Sequence, residues 1–251
     1  MVERKGRRDR ILGCLLGGAL GDAYGGIAER GRQCLSDDTQ LTLATCESIA
    51  DLGRIDPAHV ASTFRQWFDD GRLTGLGSST LKALRDLQAG AHWALSGARG
   101  EMAAGNGGAM RIAPLAFVPD ADRVVIRDVV RITHHSDEAY VGALAVVEAI
   151  RGAWSETLPD LLHAVAEQLP DSRVRDRMVS VAEVSRCAGL PAIAALGTSG
   201  YVVDTIASIA GQVAGARLGA AALPAALLDG LSERDLVERI GGRFAGSGGV
   251  A

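Results

Sequence analysis

The chain has 251 residues, 47% hydrophobic and 22% charged, a balance that excludes disorder over its bulk and allows one generous core. A net charge of −4 with only 4% aromatic residues argues against a nucleic-acid partner, which needs a basic surface and stacking platforms. Cys14, Cys34, Cys46 and Cys187 lack C-x-x-C spacing, so no zinc site is expected, and reduced thiols in a cytoplasmic setting are.

Apolar residues recur at helical spacing throughout, and no extended stretch alternates with a period of two. The first ten residues, MVERKGRRDR, read as a basic, solvated arm before a single domain over 11–251. Ile11–Asp22 reads as a helix, and its apolar part is too short and too glycine-broken to span a bilayer. Asp37–Leu52 is the second helix, with Ser36 as N-cap and Gly53 as its stop. Pro57–Asp70 is the third, capped by Asp56 with Pro57 at its first position. Thr80–Ala89, Ala109–Phe117, Asp122–Thr133, Asp137–Arg151, Leu158–Gln168, Arg173–Cys187, Thr205–Leu218 and Glu233–Ile240 follow. Connections are short and rich in Gly and Pro, so the expected fold class is one all-α domain. Gly13, Gly17 and Gly21 form one small-residue stripe and Gly211, Gly215 and Gly219 another, which suits two closely packed backbones in a soluble core. Such packing would hold the helix starts near Ser36 and Asp204 in one frame. His59 and His92 read as surface or capping residues, His163 as packed, and Trp67, Trp93 and Trp154 as core or rim.

Four segments carry candidate chemistry. Ser36-Asp37-Asp38-Thr39-Gln40 places two carboxylates and two hydroxyls at a helix start. One acid suffices for a cap, and a pair flanked by hydroxyls also supplies the hard oxygen ligands that suit Mg²⁺ or Mn²⁺. Gly105-Asn106-Gly107-Gly108-Ala109-Met110-Arg111 is a glycine-rich turn opening a helix; it is either a plain loop or a set of amides for a phosphate or ribose. Thr133-His134-His135-Ser136 puts two imidazoles and two hydroxyls at a helix junction and points to a polar pocket. Gly197-Thr198-Ser199-Gly200-Tyr201-Val202-Val203-Asp204-Thr205 places an acid and a hydroxyl just before the second glycine-striped helix.

In order, LGCLLGGALGD (12–22), Glu29, SDDTQ (36–40), GNGGAMR (105–111), Thr133-His134 and IASIAGQVAGARLG (206–219) resemble the ADP-ribosylglycohydrolase family, which includes the dinitrogenase-reductase-activating glycohydrolases. The resemblance runs from about residue 11 to about residue 223. It implies an orthogonal helical bundle whose cleft holds two divalent cations, Mg²⁺ or Mn²⁺. It also implies hydrolysis of the N- or O-glycosidic bond joining ADP-ribose to a protein side chain or small acceptor. The implied partner is an ADP-ribosylated protein or a small ADP-ribosyl metabolite, with no membrane. Carried over by position, Ser36, Asp37, Asp38, Asp204 and Thr205 are metal ligands, and Glu29, Asp37 and Asp38 are the catalytic acids. Glu29 also reads as a solvated loop acid. Gly105, Asn106, Gly107, Gly108, Ala109 and Met110 would line the diphosphate and ribose, and His134 the terminal ribose. Tyr201 is an adenine or ribose neighbour, or simply packed.

The second metal motif of the family reads Gly-Asp-x-Asp-Thr, and here Val202 stands where its first aspartate belongs. The simplest reading is deletion of a helix together with that aspartate, so that Asp204 derives from either of two family segments. The stretch from Glu29 to Ser36 is also shorter than in many members. A missing helix would expose apolar surface near the cleft, to be covered by a partner or a second copy in a homodimer, or left as a cost in stability. The alternative function is a non-catalytic member that binds ADP-ribose or serves as a helical interaction module.

Overall fold

The small-residue stripes govern the centre of the molecule. In this computed structural model, which describes residues 2–25, 34–100, 103–153, 158–187 and 203–250, α1 (Val2–Gly25) lies along a late helix, Val203–Leu218. Gly13 faces the backbone of Gly215, and Gly17 that of Gly211, so closely that a Cβ at any of the four would collide with main-chain atoms. The basic run is part of this helix rather than a separate arm. Arg7 Nη2 donates to the Phe117 carbonyl at 3.0 Å, and Asp9 accepts from the Ala221 N–H at 3.2 Å.

Between these two helices in sequence come α2 (Asp37–Leu52), α3 (Pro57–Asp69), α4 (Ser78–Gln88) and the short α5 (Trp93–Ser96). Then follow α6 (Arg123–Arg131), α7 (Asp137–Gly152), α8 (Leu158–Gln168) and α9 (Arg173–Cys187). The glycine-striped Val203–Leu218 is α10; α11 (Ala225–Asp229) and α12 (Arg234–Ala245) complete the chain. The all-α expectation holds. Among the described residues the exception is a two-residue parallel pair, β1 (Ala98–Arg99) with β2 (His134–His135), in which Ala98 faces His134.

Caps form where the sequence places them. Ser36 precedes α2, Gly53 ends it at φ +67°, and the Asp56 carboxylate accepts from the Ala58 and His59 N–H groups above α3. The core joins Ile11, Leu15 and Ala19 of α1 to Leu41 and Leu43 of α2, Phe64 and Trp67 of α3, Val129 and Val130 of α6, and Leu144 and Val147 of α7. Cys14 and Cys46 lie inside it, where burial pushes both thiols up and leaves them unreactive at neutral pH.

Two further expectations change. Ala109–Phe117 is not an α-helix: turns lead into a 3₁₀ stretch over Ala113–Phe117. Pro114 has no N–H to return to the Met110 carbonyl, so the α-helical ladder cannot form there. His163 is not packed. It lies off the Leu161–Val165 stripe that faces the core, with half its side chain exposed and Nε2 3.4 Å from Glu167.

Candidate active site

Asp22, near the end of α1, organises the acidic turn, and the sequence did not single it out. Its fully buried carboxylate accepts from the Ser36 N–H at 2.8 Å, the Ser36 hydroxyl at 2.6 Å and the Thr39 hydroxyl at 2.8 Å. Ser36 Oγ therefore gives its proton to Asp22, and its oxygen faces the Asp38 N–H, a long contact at 3.4 Å. Asp37 and Asp38 follow in the first turn of α2, only 7% and 6% exposed. Gln40 locks the neighbouring loop: its amide donates to Thr74 Oγ1 at 2.9 Å and accepts from the Thr74 N–H at 2.7 Å. Gly75 follows at φ +77°, where a Cβ would lie 3.8 Å from Asp37 Oδ1. From the far end of the chain, Glu233 receives the Leu35 N–H at 2.9 Å.

The glycine-rich segment lies in the same frame. Gly105 and Asn106 are exposed, while Gly107, Gly108, Ala109 and Met110 are buried. The Met110 carbonyl, left without a helical donor by Pro114, accepts from Gln212 Nε2 of α10 at 3.1 Å, and Thr42 Oγ1 of α2, which donates to the Asp38 carbonyl at 2.7 Å, lies 3.3 Å from it. Gln212 rests against Gly18 of α1. One carbonyl thus ties the glycine segment to both helices that begin at the candidate metal motifs. A Cβ at Gly107 would strike the His134 ring, and one at Gly108 would press on Val130. Glycine is required here for close approach.

His134 is 3% exposed, and burial, then the nearby Arg111 cation, lowers its pKa to about 4. Arg111 is wholly buried, its guanidinium 5.0 Å above the Phe64 ring. Desolvation lowers its pKa to about 9, and the negative charge of Asp37 opposes that shift. Arg111 and the acidic turn therefore sense one another. Arg111 ends the GNGGAMR motif, and its motif position was the one signal that could have marked it as more than a lining residue.

The structure thus brings Ser36, Asp37 and Asp38 together on one turn, and Gly105, Gly107 and His134 together in a second group, the two linked by the charges of Asp37 and Arg111. The backbone of Asp204 and Thr205 forms the first turn of α10, while their side chains, with Glu29 and Tyr201, lie outside the described residues. Among the described residues no three His, Cys, Asp or Glu side chains group as a metal cage. The donor chemistry nevertheless fits a hard cation: two buried carboxylates beside a hydroxyl whose proton is already engaged. A surface depression of about 600 Å³ beside Arg7, Phe117 and Arg151 contains none of these residues, and its two arginines already donate to the Phe117 and Ala121 carbonyls.

Comparison with known proteins decides the family. A model of the ADP-ribosylglycohydrolase family matches residues 3–204 and 191–250. The chain belongs to the ADP-ribosylglycohydrolase family. The two matched stretches overlap over 191–204, the segment that holds Gly200–Asp204. An uncharacterized protein of Archaeoglobus fulgidus is 25% identical over 295 residues, covering 92% of this chain and 94% of its own length. That alignment is longer than the chain itself, so the relative carries segments absent here. YegU, an uncharacterized protein of Escherichia coli, is 28% identical over 222 residues, 70% of this chain. The ADP-ribosylarginine hydrolase Tri1 of Pseudomonas putida is 27% identical over 232 residues, 79% of this chain. The matches span 64% of YegU and 59% of Tri1, under two thirds of each. Among solved structures, an ADP-ribosylglycohydrolase-related protein complex superposes with a TM-score of 0.73 at 24% identity, over 97% of this chain and 99% of the other. Among the described residues no helix is long and apolar enough to cross a membrane.

Proposed function

We propose that the chain hydrolyses the glycosidic bond between ADP-ribose and an acceptor, with a divalent cation as cofactor. The observation that carries this reading is the buried Ser36-Asp37-Asp38 turn, held by Asp22 and tied through the Met110 carbonyl to the glycine segment. Family membership supplies the reaction class. Ser36, Asp37 and Asp38 would hold Mg²⁺ or Mn²⁺, with Asp204 and Thr205 from the start of α10. A bound cation supplies Lewis-acid polarisation and makes a nearby water more acidic. Within the chain, Asp22 keeps the Ser36 proton turned away, and a carboxylate oxygen of Asp37 or Asp38 takes the proton of the attacking water. The backbone at Gly105–Gly107 and the His134 ring hold the ADP-ribose in place. Arginine-linked ADP-ribose is the acceptor to try before others, because the Pseudomonas putida relative is named for that substrate.

A second reading is supported by Val202 and by the longer relative: a member that binds ADP-ribose without turning it over. One experiment separates the two. Release of free ADP-ribose is followed from arginine-, serine- and small-molecule-linked substrates, with Mg²⁺, Mn²⁺ or chelator. The expected result is metal-dependent release that falls by at least about 100-fold in Asp38→Ala, in line with loss of a group acting in the transition state. Binding of ADP-ribose without release from any acceptor would favour the second reading. Full activity of Asp38→Ala would remove Asp38 from the machinery.

A further inference from the structure

Arg111 cannot accept a hydrogen bond, and this fixes the proton positions around it. Its Nη1 donates to the Gly107 carbonyl at 2.9 Å. Its Nη2 donates to the Val129 carbonyl at 3.1 Å and to Thr133 Oγ1 at 2.8 Å. The Thr133 oxygen is in turn 2.8 Å from His134 Nδ1. Thr133 Oγ1 has two lone pairs and could accept from both Arg111 and Nδ1, but it is wholly buried, and among the described residues its own proton has no acceptor other than His134 Nδ1. An imidazole that accepts at Nδ1 and is neutral carries its hydrogen on Nε2. That nitrogen faces the glycine segment: a Cβ at Gly105 would lie 3.2 Å from it, and one at Gly107 3.1 Å. The parallel pairing of His134 with Ala98 and the packing of Gly97 against the Arg131 carbonyl hold the ring's backbone in register.

We infer that Arg111 and Thr133 are positioning residues that set His134 in its Nε2–H tautomer, making the glycine segment a site with a fixed donor aimed at an oxygen acceptor of the ligand. This rests, for the identity of that ligand, on the reading that the segment takes ADP-ribose, whose diphosphate and ribose oxygens are acceptors. The proton arrangement itself does not depend on that reading. The same guanidinium holds the Gly107 carbonyl, so the loop and the ring that it covers share one support.

The test has two independent readouts on the full chain. Long-range proton–nitrogen correlation spectra of ¹⁵N-histidine-labelled protein at pH 7, with His134 assigned from His134→Asn, report the tautomer without any ligand. The wild type is expected to show a pyrrole-like Nε2 and a pyridine-like Nδ1. Thr133→Val is expected to lose that single pattern and Thr133→Ser to retain it. An Nδ1–H ring or an imidazolium in the wild type overturns the inference, and the wild-type spectrum decides this even if the valine variant does not fold. Calorimetric binding of ADP-ribose is the second readout. Thr133→Val is expected to weaken it about tenfold, the effect of one net hydrogen bond, with Thr133→Ser close to wild type. Unchanged affinity in a valine variant whose tautomer has changed overturns the positioning role. A wild type with the Nε2–H ring that binds no ADP-ribose overturns the proposed function while the tautomer assignment stands.

Discussion

Asp22 shows how one side chain can hold a turn that lies 14 to 17 residues away in the chain. It receives three hydrogen bonds from the residues that open α2, and two come from hydroxyls whose oxygens border the site. Asp22→Asn puts a donor where two hydroxyls and an amide already donate. Losing the charge-assisted bonds should cost about 3 kcal/mol, a fall in melting temperature of roughly 6–12 °C for a chain of this size. A variant that melts with the wild type would show that the turn holds itself. His134 gives a pH prediction of defined sign. Its ring binds a proton near pH 4 when folded and near 6.5 when unfolded. Between those values the unfolded chain carries more protons, so stability falls as pH drops through the window, by up to ~3 kcal/mol. His134→Asn keeps an acceptor for Thr133 and removes the titration. Its melting temperature should therefore decline less than that of wild type between pH 7 and 4.5, and parallel declines would contradict the buried neutral ring.

At the scale of elements, the contact between α1 and α10 is the least forgiving. At Gly17 and Gly211 the obstacle is backbone, which cannot rotate aside as a side chain can. Gly17→Ala or Gly211→Ala should cost at least about 3 kcal/mol, above the usual range for overpacking a core with movable side chains. Gly6, in the same α1, is the control, because a Cβ there would meet nothing within 4 Å. At that position alanine should gain about 0.5–1 kcal/mol through helix propensity. Thermal unfolding of the three variants checks both signs. The Met110 carbonyl is a second case at this scale. Pro114 removes its helical donor, Gln212 of α10 supplies the replacement, and the Thr42 hydroxyl of α2, bonded to the Asp38 carbonyl, packs beside it. A proline that breaks one expected helix therefore joins three segments of the site.

For the whole molecule, the open matter is whether a chain shorter than its Archaeoglobus relative still assembles a complete ligand set. Thermal shift answers this without a substrate. If Ser36, Asp37 and Asp38 hold a cation, Mg²⁺ or Mn²⁺ at about 100 times Kd should stabilise the fold by about 2.7 kcal/mol, or roughly 5–11 °C. Asp38→Ala should abolish the shift. A wild type indifferent to both cations would mean that the set with Val202 in place of an aspartate is no longer sufficient. The proposal of a homodimer covering the shortened region belongs to the same scale. Sedimentation should then give twice the mass of 26.0 kDa.

The helices themselves were legible in the sequence, because periodicity, Ser36, Gly53, Asp56 and Pro57 are local signals that act within one or two turns. The close glycine contact was legible too, since small residues at every fourth position let two helix backbones approach. The family followed from ordered motifs. What the sequence did not disclose depends on partners remote in the chain. Asp22 looked like the end of a helix until Ser36 and Thr39 folded onto it. Arg111 looked like the last letter of a motif until Thr133, 22 residues away, accepted its hydrogen bond. Met110 needed Gln212, 102 residues away, to replace what Pro114 withholds. Local chemistry sets where helices start and stop, because its partners are neighbours. Which buried donor meets which acceptor is decided only when the chain closes on itself, since burial then makes each unmet group too costly to leave.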